Sequence, residues 1–306
     1  MTAKPAAASP PEPLPRARRR LWAELALVLG LSLGQSAVYA VLRLIDRLTE
    51  AVPLAEQTAA MNTSDSAKPW LDLVYQLAGI GFAVLPAVLA LYLLAGGLAG
   101  GSAGGSAGGS AGGRIGPVVG NRDGGLATGL ISNPGGADRP PTRWAGPRRI
   151  GLTLSRPLRD LAWGAALAGG IGLPGIGLYL LGRALGVTVH ISTQSLGGFW
   201  WTVPVLVLAA LQNGVLEEVV VVGYLAERLT ELGWRPWAWM VASALLRGSY
   251  HLYQGFGPFV GNVAMGLVFA WFYARRRRVM PLVLAHTLID LVAFVGPSLI
   301  DPSWLT

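Results

Sequence analysis

Two adjacent carboxylates, Glu217 and Glu218, stand inside the apolar run "NGVLEEVVVVGYLAERL". Further along, "RGSYH" sets Arg247 and His251 four residues apart, and "HTLID" does the same for His286 and Asp290. In a helix that spacing puts both members of each pair on one face. An ionisable side chain in hydrocarbon costs roughly 2.5–3.5 kcal/mol on insertion scales. Such groups persist when several helices turn them toward a common, partly hydrated cavity. There they can do general acid–base work, relay protons or bind a metal. Two histidines and a carboxylate with an open position suit catalytic zinc, and Glu217, His251 and His286 would be the ligands. The paired glutamates lack the i, i+4 histidine of an H-E-x-x-H helix, which favours the metal-free reading. No cofactor is therefore expected, with zinc as the alternative.

The elements that position these groups read as membrane spans. The chain is 52% hydrophobic and only 13% charged, where a soluble domain carries about 25% charge. The expected fold is all-α, a polytopic transmembrane helix bundle of seven or eight spans. Seven apolar stretches approach or exceed spanning length: 21–45, 71–94, 161–181, 199–232, 236–253, 259–273 and 280–299. The amphipathic "RRIGLTLSRPLRD" or the C-terminal tail would supply an eighth. The first stretch is too long for the core of a cleaved signal peptide. There is no cysteine, which excludes disulfides and thiol sites.

The net charge of +8 is almost all arginine and gathers in loops. The positive-inside rule accounts for it better than nucleic-acid binding, and no nucleic acid partner is expected. Arg16, Arg18, Arg19 and Arg20 place the N-terminus in the cytoplasm, and Arg275–Arg278 fall on the same side. That run reads as a topology anchor and lipid contact. Tryptophans at 200–201, 234, 237 and 239 fall near span ends, as an aromatic belt requires. Glu24 can pair with the basic arm, and His190 reads as a solvated loop residue. Depth is less regular: Glu217 and His251 lie about 22 Å along their helices from the arginine-rich end, but His286 only about 12 Å beyond Arg278. The turn before the last span must therefore sit below the surface, or that span is displaced inward.

Four regions follow. Residues 1–20 form a disordered basic arm, and 21–95 an N-terminal helix pair. Residues 96–147, with the period-four "AGGS" repeat, form a flexible linker. Residues 148–300 form the unit that carries the acids and histidines.

Taken together, Glu217-Glu218, Arg247-x-x-x-His251 and His286-x-x-x-Asp290 resemble the CAAX-protease and bacteriocin-processing (CPBP) intramembrane proteases, bacterial members in particular. The family pattern is Glu-Glu-x-x-x-Arg, Phe-x-x-x-His and His-x-x-x-Asn/Asp, and the likeness covers about 156–295. The resemblance implies an intramembrane endopeptidase of glutamate or metalloprotease type, acting on a membrane-embedded peptide or protein in the bilayer. It implies that Glu217, helped by His251, activates water, and that His286 and Asp290 stabilise the oxyanion. Asp290, accepting only when ionised, would instead fix the His286 tautomer.

Two positions depart from that pattern. Val222 stands where the family has arginine, and Arg247 where it has phenylalanine. Read as one change, the cation has moved to the next helix and faces Glu218 from there. Val222 also supports a non-catalytic scaffold or immunity protein as the alternative. A proton-linked transporter is disfavoured by the lack of an inverted repeat.

Overall fold

The structure is a computed structural model and describes residues 15–96, 145–192 and 196–299, with residues 297–299 described by backbone alone. Most of the basic arm, nearly all of the linker and the C-terminal tail lie outside the described residues.

In chain order the elements are α1 (Pro15–Gly30), α2 (Leu33–Thr49), β1 (Thr58–Ala60), α3 (Pro69–Gly96), α4 (Ala145–Arg149), α5 (Pro157–Ala184), β2 (His190–Ser192) and α6 (Thr202–Glu217). A π-helix, Glu218–Tyr224, joins α6 to α7 (Leu225–Glu231); α8 (Pro236–Tyr250), α9 (Phe256–Arg276) and α10 (Met280–Leu299) complete the bundle. Each of the seven expected segments is helical, and the protein is a multi-pass membrane protein.

Several expectations need correction in detail. Four helices are long and apolar enough to cross a membrane alone: α3, α5, the continuous Thr202–Glu231 and α9. The first segment is no single rod but the pair α1–α2, bent by 52° and counted as a fifth span if taken together. The break follows Gly30, and the Ser32 hydroxyl donates back to the Val28 carbonyl at 2.5 Å. Residues 15–20, expected in the disordered arm, form the first turns of α1. The segment 148–160 adds no span of its own, since it runs from the end of α4 into the start of α5. One feature is not helical. β1 and β2 pair in parallel, Thr58 opposite His190, so His190 is half-buried in a strand.

Burial ranks the helices. In the most apolar window of Thr202–Glu231, 56% of residues are buried, against 17% for α3 and 6% for α5. The helix that carries both glutamates is therefore the bundle's centre, and the outer helices turn apolar faces outward, as lipid requires. The core joins Leu25 and Val28 of α1, Ala87 and Leu94 of α3, Val219 and Val222 of the π-helix, Phe269 of α9 and Leu282 of α10. The N-terminal helices and the later ones thus share one core rather than packing as two units.

Small residues set the spacing around the centre. A Cβ added at Gly214 would fall 2.6 Å from the Thr287 hydroxyl and 3.0 Å from the Val283 carbonyl. That close approach of α6 and α10 is what brings the glutamates beside His286. A Cβ at Gly266 would fall 2.8 Å from the Ala244 Cα, which holds α9 against α8 in the same way.

The depth mismatch of His286 resolves at the α9–α10 turn. Arg277 closes α9 in the left-handed region (φ 54°), and the Val279 amide donates to the Ile150 carbonyl at 2.9 Å. Ile150 and Val279 are both fully buried, so the turn is tucked beneath residues 149–152. Gly151 (φ +68°) fits there because a Cβ would meet the Arg277 carbonyl at 2.6 Å.

The arginines at this end are only partly loop charges. Arg228, 2% exposed, lies 2.8 Å from Glu24 and bonds Glu231 and the Leu93 carbonyl. Glu227 takes Arg149 at 2.9 Å, Tyr273 at 2.9 Å and Arg277. Arg278 pairs with Asp160. Arg275 and Arg276 instead lie over Trp271 and Trp163. Trp200 and Trp237 are exposed at helix ends, whereas Trp201 and Trp239 are buried and do not join a belt.

Candidate active site

The site begins where α6 ends. Four successive valines follow the glutamates, and β-branched side chains crowd an α-helical turn. Here the chain widens into the seven-residue π-helix, a form common at functional sites. Its widened turn has support from a side chain: the Ser243 hydroxyl of α8, itself fully buried, donates to the Val221 carbonyl at 2.7 Å. Glu217 is the last residue of α6 and Glu218 the first of the π-helix.

Arg247 of α8 reaches both carboxylates. Its Nη1 donates to Glu217 Oε2 at 3.1 Å and its Nη2 to Glu218 Oε1 at 2.5 Å. The guanidinium lies 5.5 Å from the ring centroid of Phe269, which covers it on the α9 side. Val222 is fully buried in the apolar core. The cation at Arg247 thus faces Glu218 from the neighbouring helix, as the paired departures suggest.

His286 of α10 sets its Nδ1 at 2.7 Å from the same Glu218 oxygen. With Nδ1–H donated there, the 3.4 Å approach of Arg247 Nη1 to that nitrogen is a contact rather than a hydrogen bond. Nε2 then faces inward, 3.9 Å from Glu217 Oε2 and 3.6 Å from Asp290 Oδ1. Glu218, and not Asp290, therefore fixes the imidazole's orientation. Asp290 has a closer partner, Asn213 of α6, whose amide donates to Oδ2 at 3.0 Å.

His251 departs from its expected place. It caps α8, and its backbone turns into a short 3-10 segment instead of continuing the helix. Its ring nitrogens are enclosed and lack a well-formed hydrogen bond among the described residues, although the Gln254 side chain and the Glu217 charge both act on the ring. The group bonded to Glu217 is its neighbour Tyr250, whose hydroxyl donates to Oε2 at 2.5 Å. Tyr250 and Asn213 are the two members that motif reading passes over. Both were signalled by a polar group in an apolar helix, and Asn213 lies four residues before Glu217, on the same face.

Side-chain exposure sorts the acids. Glu218 and Arg247 are sealed at 0%, Glu217 keeps 9% and Asp290 17%. The contacts on Glu217 fall on Oε2, and among the described residues nothing hydrogen-bonds Oε1. Of the two glutamates, Glu217 is therefore the less enclosed, and Glu218 the one that anchors the cation most closely.

Glu217, Glu218 and His286 offer ligand atoms within 4.8 Å of one another, so a metal deserves a test against this geometry. The set differs from the expected one, with Glu218 in place of His251. Arg247 bonds one oxygen of each glutamate, while Glu218 Oε2 has no hydrogen-bond partner among the described residues. The fixed guanidinium opposes a divalent ion beside it, so the arrangement favours Arg247 as the resident cation of the set.

Fold and site together define a multi-pass helical membrane protein with a carboxylate–arginine–histidine site enclosed at its centre. Residues 199–292, which hold every member of that site, match the family described as Type II CAAX prenyl endopeptidase Rce1-like. That segment, about a third of the chain, is thus similar to the CAAX-protease (CPBP) family of hydrolases. No curated protein and no solved structure matches it.

Proposed function

We propose that the protein is a metal-free intramembrane endopeptidase that hydrolyses a peptide bond in a membrane-associated peptide or protein. One observation carries the reading: Glu217 is clamped through Oε2 by Tyr250 and Arg247, while Oε1 is left to water. Glu217 takes a proton from that water through Oε1 as the water oxygen bonds to the substrate carbonyl carbon. The carbonyl pair moves onto its oxygen, and the C–N bond then breaks as the nitrogen receives the proton held by Glu217. Arg247, bonded to both glutamates, orients Glu217. His251, with both ring nitrogens enclosed and without a well-formed hydrogen bond among the described residues, is suited to contact the incoming water or peptide. His286, oriented by Glu218, and Asp290, through the amide it holds, line the side of the carbonyl oxygen.

The arginine-rich end of the bundle lies in the cytoplasm, with the N-terminus, by the positive-inside rule. Residues 148–300 form the catalytic unit, while 21–95 complete its wall and 96–147 only connect the two.

The test is proteolysis by the purified protein in detergent or liposomes, against a fluorogenic library of lipidated and unlipidated peptides. Cleavage abolished in Glu217→Gln and unaffected by chelator is the expected result. Loss with chelator and recovery with zinc would instead make this a metalloprotease. Absence of any cleavage would leave a scaffold.

A further inference from the structure

We infer that Asn213 supplies the neutral hydrogen bond to the oxyanion, with Asp290 as the acceptor that holds its amide in place. The inference rests on the endopeptidase reading and adds to it a catalytic residue that the three motifs do not contain.

The argument begins with what the neighbouring groups can offer. An oxyanion needs donors fixed before the charge appears. Asp290, when ionised, only accepts, so it cannot be that donor. His286 directs Nδ1–H to Glu218, and its Nε2 faces carboxylate oxygens, Asp290 at 3.6 Å and Glu217 at 3.9 Å, which compete for any proton it carries. Tyr250 has spent its one proton on Glu217, and Arg247 is enclosed between the two glutamates. Asn213 is different. Its amide carries two N–H groups, of which Asp290 Oδ2 takes one at 3.0 Å.

Placement agrees with chemistry. Asn213 lies one turn before Glu217 on the same face of α6, so both look onto the same space. It is half-buried, and its partner Asp290 is the most exposed acid of the site at 17%. The assignment of nitrogen rather than oxygen toward Asp290 follows from the carboxylate, which requires a donor. As the water oxygen bonds to the carbonyl carbon, the π pair moves to the carbonyl oxygen. The second Asn213 N–H meets the charge there and releases it when the C–N bond breaks.

The experiment uses the full-length protein in detergent. It measures kcat and KM on a cleaved peptide, and the affinity of a peptidyl phosphinate, whose tetrahedral P–O⁻ mimics the oxyanion. Asn213→Ala should lower kcat about 10²- to 10³-fold, the range for loss of one oxyanion donor. It should leave KM within about threefold and weaken the phosphinate in parallel with kcat. A residue that merely packs α6 against α10 would not single out the tetrahedral ligand.

The exchange Asn213→Asp with Asp290→Asn keeps one amide and one carboxylate facing each other. It should restore activity lost in Asn213→Asp alone, which sets two carboxylates together. Asn213→Ala that folds, by thermal unfolding, and turns over within threefold of wild type overturns the inference while leaving the peptidase intact. A wild type that cleaves nothing and does not bind the phosphinate overturns both.

Discussion

Arg247 bonds Glu218 at 2.5 Å from the neighbouring helix, with both side chains sealed from solvent. A buried pair of this kind is asymmetric: removing one partner strands the other charge, at about 3–5 kcal/mol. Arg247→Phe should therefore inactivate the enzyme and lower its thermal midpoint in detergent. Val222→Arg alone should also destabilise, since Val222 is fully buried among apolar side chains. The double substitution returns a cation to the pocket of Glu218 and should recover part of both losses. If stability and turnover show no recovery over Arg247→Phe, the two positions are not one compensated change.

The two glutamates should fail differently. Glu217→Gln keeps the shape and a hydrogen-bond acceptor for Tyr250, so it should fold normally and lose about 10²- to 10⁴-fold in kcat, the range of a general base. Glu218→Gln takes from Arg247 the charge to which it bonds most closely and should be the less stable protein. Parallel unfolding and turnover measurements separate the roles. Equal stability of the two variants would contradict the division.

Ser243 supports the π-helix through a single bond to the Val221 carbonyl. Ser243→Ala should cost about 1 kcal/mol and also reduce turnover, because the widened turn sets the register of Glu218. Ser243→Thr retains the hydroxyl and should preserve activity if the added methyl is accommodated. A Ser243→Ala protein with unchanged turnover would show that the π-turn stands without this bond.

The ends of the linker are already adjacent. A Cβ on Gly146 would overlap the Leu91 carbonyl, so α4 packs directly on the last turns of α3. Replacing residues 97–144 by about a quarter of their number of Gly/Ser residues shortens a closed loop, a gain of about 1.2 kcal/mol. Expression, thermal midpoint and proteolysis should be retained. Because Leu25, Val28, Ala87 and Leu94 belong to the common core, residues 145–306 expressed alone should not fold. Co-expression with residues 1–96 should restore the protein, and failure to recover a complex would argue against the shared core.

Much of this protein was legible in its chain because a membrane leaves few options. Apolar length and unsatisfiable backbone groups fix helices at every expected segment. Adjacent acids in one such helix and a histidine–acid pair at i, i+4 in another mark Glu217, Glu218, His286 and Asp290 before any contact is known. What the sequence could not carry is which helix supplies each partner. Periodicity places a residue on a face but not the face against a neighbour, so Tyr250 rather than His251 as the group on Glu217 was invisible. The same holds for Asn213 on Asp290 and Glu218 on His286. The widened turn after Glu217 breaks the 3.6-residue rule that motif spacing assumes, and the bend at Gly30–Ser32 breaks an uninterrupted apolar run. Those choices are made by packing. Gly214 and Gly266 let α10 and α9 approach their neighbours, and the charges then find partners at distances that only the assembled bundle defines.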